Sequence, residues 1–197
     1  MSWEPILSWL VGYVLGSIPF GLLLTRLAGK GDIRELGSGN IGATNVLRSG
    51  SKALAAATLL LDALKATAAI LLARELFGRD SQSFAAAGAL IGHLYPLWLR
   101  FKGGKGVATL LGILIVLLPI AAAVYAFIWV GLLLTARISS VAGMAAAVTA
   151  PVTAAVLGAD DLLPMLIGFA LLVVWKHRAN MARLKTGTEP RIGKSPP

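Results

Sequence analysis

GVATLLGILIVLLPIAAAVYAFIWVGLLLTA, residues 106–136, runs for 31 residues without a charge between Lys105 and Arg137. At about 1.5 Å per residue, that is too long for one upright helix across a ~30 Å hydrocarbon core and short for two full ones. Pro119 lies near its middle. A proline inside a helix removes one amide donor and clashes with the preceding turn, so it is a natural break. The charges elsewhere decide between one span and two. The other apolar runs are 5–25, 53–73 (interrupted by Asp62 and Lys65), 81–99, 138–159 and 162–175. Two spans in 106–136 bring the total to seven and put every basic loop on one side. That side holds Arg26, Lys30, Arg34, Arg48, Lys52, Arg100, Lys102, Lys105, Arg137, Lys176, Arg178, Arg183, Lys185, Arg191 and Lys194. The other keeps only Arg74 and Arg79. A single span would move Arg137 and the whole basic tail across and erase the positive-inside bias. The sequence therefore predicts an all-α, seven-span membrane protein with the N-terminus outside and the C-terminus in the cytoplasm. Several spans are short.

Composition agrees. Hydrophobic residues make up 57% of the 197, against roughly 45–50% in soluble domains even with glycine counted. Mean hydropathy is +0.79. Only 14% of residues are charged, yet the net charge is +9, so partners are expected to be anionic; the lipid bilayer is one, and no nucleic acid is expected. There are no cysteines and two histidines, His93 and His177. A disulfide framework, a thiol nucleophile and an ordinary His/Cys zinc site are thereby excluded, and neither metal nor cofactor is expected. "MSWEP" lacks the positive start of a cleavable signal peptide, so the first span is expected to be retained. No internal repeat or separate soluble domain is visible. The chain reads as one domain with a disordered tail over about 188–197.

Four polar stretches meet the cytoplasmic face in this topology: GSGNIGATN (37–45), FKGGKGVAT (101–109), RISS (137–140) and KHRANMARLKTGTE (176–189). Glycines let consecutive amides turn toward one point as an anion nest, and Ser, Thr and Asn add donors. Arg can grip phosphate oxygens two at a time. Each feature also has a plainer explanation. Glycine loops can be tight turns between helices, and basic tails can touch anionic lipids. Asp62 and Lys65, one turn apart, fit an ion pair inside the bundle; His93 fits a satisfied helix-end histidine, and Ser140 an interhelical hydrogen-bonding serine. Gly37, Gly39 and Gly42 match a dinucleotide fingerprint, with Asp62 beyond them, but that fingerprint needs a preceding strand and a βαβ unit. A phosphate-binding NTPase loop ending in GKS at 193–195 would need glycine at 188, where Thr188 sits.

Taken in order, DIREL before GSGNIGATN, then LDALK (61–65), GHLYP (92–96), FKGGKGVAT, the Arg-x-Ser-Ser segment and HRANMARLKTGTE resemble the bacterial acyl-phosphate:glycerol-3-phosphate acyltransferases, the PlsY family, over nearly the whole chain. The resemblance implies a seven-helix enzyme of the bacterial inner membrane with its site facing the cytoplasm. Such an enzyme transfers a fatty acyl group from acyl phosphate to the 1-hydroxyl of sn-glycerol 3-phosphate, giving lysophosphatidic acid and phosphate, the first acylation of phospholipid synthesis. It uses neither acyl-CoA nor acyl carrier protein directly, and a monomer is expected. The His-x-x-x-x-Asp motif of soluble-type acyltransferases is absent, since Trp98 and Ala182 stand five beyond the histidines. By resemblance, Gly37, Ser38, Gly39, Asn40, Gly42, Thr44, Asn45 and Arg48 bind substrate phosphate, with Gly103, Gly104 and Arg183. Lys105, Ser140, His177 and Asn180 are the catalytic group, with Ser139 the adjacent alternative to Ser140. The base is either His177 or a substrate phosphate oxygen. The rival reading is a membrane transporter of an organic phosphate, which would also want intramembrane charges and glycine-broken helices.

Overall fold

The computed structural model describes residues 3–193; the expectations placed on 1–2 and 194–197 lie outside these. Among the described residues there are ten α-helices, three short 3₁₀ segments and no strand, which removes the dinucleotide fold. The chain divides into two compact units, one up to Leu117 and one from Leu118 onward.

The first unit opens with α1 (Glu4–Gly16) and α2 (Phe20–Leu27). The expected single span 5–25 is broken at Pro19, which supplies no amide and pushes Ile18 out of helical conformation. After α3 (Ala43–Arg48) comes α4 (Lys52–Phe77), then α5 (Gln82–Leu94) and α6 (Val107–Leu117). Helix α5 stops short of the expected 99 because Pro96 follows Tyr95, its C-cap. Small residues let the helices close on one another. A Cβ at Gly12 or Gly16 would strike the backbone of Ala85 or Ala89 on α5, and one at Gly88 or Gly92 would strike that of Trp9 or Tyr13 on α1. Helix α4 buries Ala55, Ala63, Ala66, Ala69 and Ala73 while Leu60, Leu64, Leu71, Leu72 and Leu76 face outward. Small residues inside and large apolar ones outside is the pattern of helices that pack in lipid, where leucine gains nothing by turning inward.

In the second unit, α7 (Pro119–Thr135) packs on α8 (Ser139–Val156), and α8 on α9 (Leu163–Lys176). The short α10 (Arg178–Lys185) follows after His177. The charge-free run 106–136 is interrupted where expected. Leu118 has φ −153° and ψ 78°, and Pro119 starts α7 at a position where its missing amide costs nothing. Three helical stretches are long and apolar enough to cross a membrane, Glu4–Leu27, Lys52–Phe77 and Ser139–Val156, with α6, α7 and α9 shorter but apolar.

Candidate functional site

In the first unit the glycine loop 37–42 rests on a small apolar cluster of Leu22, Ile33, Ile41, Val46 and Ala55. Leu99, from the loop after α5, packs on the same cluster, so one core supports both glycine-rich loops. Asp32 anchors the approach to the first loop by accepting hydrogen bonds from Arg26 and Arg34. The Arg34 guanidinium holds the Asp32 carboxyl well below the usual carboxylate range. Asn45 is the loop's staple. Only 2% exposed, it accepts from the Ser38 amide at 3.0 Å and donates to the carbonyls of Ile33 and Leu36 at 2.8 and 2.9 Å. Expected among the substrate-binding side chains, it also holds the loop in shape.

Several amides of the two glycine loops have partners within the protein. The amide of Ser38 donates to Asn45, that of Gly39 to the Leu36 carbonyl, and that of Gly42 to Asn40 Oδ1. In the second loop Gly103 and Gly104 donate to the carbonyls of Leu94 and His93 at the end of α5. All five amides are turned inward. Gly37 and Gly39 supply left-handed turns, with φ +55° and +67°. Gly103 and Gly104 are needed for close approach, since a Cβ would strike the His93 carbonyl or its imidazole Nε2. Of the side chains expected to bind phosphate, Ser38 and Arg48 are exposed, and Asn40, Thr44 and Lys105 are half-buried. Arg48 lies across Gly37, its Cδ 3.1 Å from where a Cβ would stand. Before Lys105 the backbone is strained: Arg100 and Phe101 are both left-handed, with φ +51° and +61°, a conformation costing non-glycine residues roughly 1–2 kcal/mol each.

The second unit gathers Ser140, Asn180 and Arg183 around a residue the sequence reading did not single out. Glu189 accepts from Ser140 Oγ at 2.7 Å and Asn180 Nδ2 at 2.6 Å on Oε1, and from Arg183 Nε at 2.7 Å on Oε2. Burial pushes its carboxyl up, but these three donors outweigh burial and hold it below its ordinary value. Within the stretch 188–197, expected to be disordered, Glu189 is thus held by three side chains and Ile192 donates its amide to the Arg137 carbonyl at 2.7 Å; residues 194–197 lie outside the described residues. Arg137 itself is left-handed, with φ +57°. A signal was available, because Glu189 is the one acid in the strongly basic segment 176–189. His177, 3% exposed, sits between α9 and α10 with Nδ1 2.7 Å from the Val173 carbonyl. A carbonyl only accepts, so Nδ1 carries a proton and Nε2 is the nitrogen able to take one up. Ser140 rather than Ser139 belongs to this cluster. Among the described residues no group of His, Asp and Glu could hold a metal ion.

The family model described as "Glycerol-3-phosphate acyltransferase" matches residues 6–187. A glycerol-3-phosphate acyltransferase of Mesorhizobium japonicum is 54% identical, covering 98% of each chain, and one of Allorhizobium ampelinum is 53% identical, covering 96% of this chain and 92% of its own. Crystal structures of PlsY (YgiH), an integral membrane glycerol 3-phosphate acyltransferase, in its glycerol 3-phosphate and lysophosphatidic acid forms, are 38% identical with TM-scores of 0.89 and 0.87. Each covers 96% of this chain, which in turn covers 96% and 95% of theirs.

Proposed function

Because the chain belongs to the glycerol-3-phosphate acyltransferase family, we propose that it makes lysophosphatidic acid by moving a fatty acyl group from acyl phosphate to the 1-hydroxyl of sn-glycerol 3-phosphate. It is a membrane acyltransferase of phospholipid synthesis. The observation that carries the reading is the family match over residues 6–187, which includes both glycine loops and the Ser140, His177, Asn180 and Arg183 positions. Seven spans cross the inner membrane, with α1 and α2 together forming the first and α4 to α9 the rest. The N-terminus is outside, the basic loops face the cytoplasm, and the chain acts as a monomer. At about 1.5 Å per residue α6 and α9 cover only ~16 and ~21 Å, so the bilayer thins or neighbours bury them.

Both substrates carry phosphate, so two anions must be held. Ser38, Asn40, Thr44 and Arg48 hold one, and Lys105 helps hold the other. In the second unit Asn180, Ser140 and His177 position substrate, and Glu189 keeps the first two aligned. The hydroxyl oxygen of glycerol 3-phosphate attacks the acyl carbonyl carbon, the bond from that carbon to the phosphate oxygen breaks, and phosphate leaves. The hydroxyl proton departs with a phosphate oxygen, while His177 binds and orients. Acyl phosphate is already activated, so most of the rate comes from orientation and stabilisation of the oxyanion. No cysteine exists, and no Ser–His–acid set marks a covalent intermediate among the described residues. The test supplies purified protein with labelled glycerol 3-phosphate and, in parallel, acyl phosphate, acyl-CoA or no donor. Labelled lysophosphatidic acid from acyl phosphate alone is expected; product from acyl-CoA alone would overturn the donor.

A further inference from the structure

Asp62, Lys65 and His93 make up a buried polar group that the reaction as described does not use. Lys65 Nζ sits 2.7 Å from Asp62 Oδ1, 2.7 Å from the Ile18 carbonyl and 2.9 Å from His93 Nδ1, so the three protons of an ammonium each have an acceptor. The Ile18 carbonyl comes from the break at Pro19 between α1 and α2. All three side chains are at most 5% exposed. Stability alone does not account for such a group, since a buried ion pair is about as well served by apolar residues of the same volume. Its far end does have a task. With Nδ1 accepting from Lys65, the imidazole is held in one orientation, and its Nε2 edge is the surface on which Gly104 lies. The amides of Gly103 and Gly104 are tied to the carbonyls of Leu94 and His93. The next residue is Lys105.

We propose that Asp62, Lys65 and His93 form a positioning relay whose fixed imidazole sets the Gly103–Gly104 turn, and through it the place of Lys105, for binding a substrate phosphate. They are positioning residues, acting through the turn rather than on the reacting atoms. The inference rests on the reading of Lys105 as a phosphate-holding group.

Two variants of the full chain in detergent separate positioning from folding. D62L/K65M exchanges the ion pair for apolar side chains of similar size and frees the imidazole; H93N keeps an acceptor for Lys65 near Nδ1 but deletes the Nε2 edge. Readouts are KM for each substrate, kcat, the thermal midpoint, and amide hydrogen exchange in the segment 97–106. In both folded variants, KM for one phosphate substrate should rise about tenfold or more, kcat should fall much less, and exchange in 97–106 should quicken while α4 is unchanged. Folded variants with wild-type KM values and wild-type exchange would overturn the relay. Should D62L/K65M fail to fold, H93N decides by the same two readouts. A wild-type protein that makes no lysophosphatidic acid would instead sink the acyltransferase reading, and the exchange arm would still report on the relay.

Discussion

Replacing Glu189 offers a graded test of the second unit, because its two oxygens do different work. Oε1 receives Ser140 at 2.7 Å and Asn180 at 2.6 Å, and Oε2 receives Arg183 at 2.7 Å. The Glu189 side chain is 3% exposed and that of Arg183 35%. Glu189→Ala strands two buried polar side chains at about 1–3 kcal/mol each. Arg183 can return to water, so its partnership adds no more than ~1 kcal/mol. The total comes to roughly 2–7 kcal/mol, a large share of a typical folding free energy of ~5–15 kcal/mol. Glu189→Gln keeps an oxygen for Ser140 and Asn180 and presents a donor to Arg183, which then swings outward, so its cost should be about 1–2 kcal/mol. Thermal unfolding in detergent, with kcat/KM on the same samples, should rank wild type above E189Q and E189Q well above E189A, E189Q keeping measurable turnover. Acid adds a second readout. The folded carboxyl lies below its ordinary value, so its stabilisation is complete above the unfolded glutamate pKa of about 4.3 and is lost as pH falls through the lower folded value. E189Q should lack that acid-dependent component. Equal damage from both substitutions, or an E189A protein melting with wild type, would refute the assignment of Glu189 as the cluster's anchor.

Asn45→Ala should lower the melting temperature and raise KM for a phosphate substrate, since it leaves the Ile33 and Leu36 carbonyls without their donor at about 1–3 kcal/mol each; melting and steady-state kinetics measure both. Gly88→Ala puts a methyl group into the Trp9 backbone and should destabilise by roughly 1–3 kcal/mol through separation of α1 and α5, read as a lower melting temperature. His177→Gln should raise KM with turnover still detectable. Abolished turnover at unchanged substrate affinity would instead make His177 the base.

Much of the fold was legible because lipid imposes its own grammar. Charge-free runs marked the helices and Pro119 marked the break. The breaks at Pro19 and Pro96 were passed over, since an uncharged run hides a proline kink that only packing makes decisive. Site residues were legible as types but not as roles. Asn45 and Asn40 look alike in sequence, yet Asn45 is buried and staples the loop. Gly37 and Gly39 also serve left-handed turns, and Gly103 and Gly104 close approach, tasks invisible in sequence because they depend on the groups packed beside each glycine. Glu189 was missed because its importance comes from three partners, the most distant 49 positions away in sequence. His93 joined Lys65 across 28 positions, a pairing that helix spacing cannot predict.

Coupled product release distinguishes acyl transfer from simple hydrolysis of acyl phosphate. Lysophosphatidic acid and inorganic phosphate should be measured in one reaction from purified protein and acyl phosphate, with and without glycerol 3-phosphate. Equal amounts of the two products, with phosphate release dependent on glycerol 3-phosphate, is the predicted result. Phosphate released at the same rate without the acceptor, or no lysophosphatidic acid from a folded sample, would contradict it.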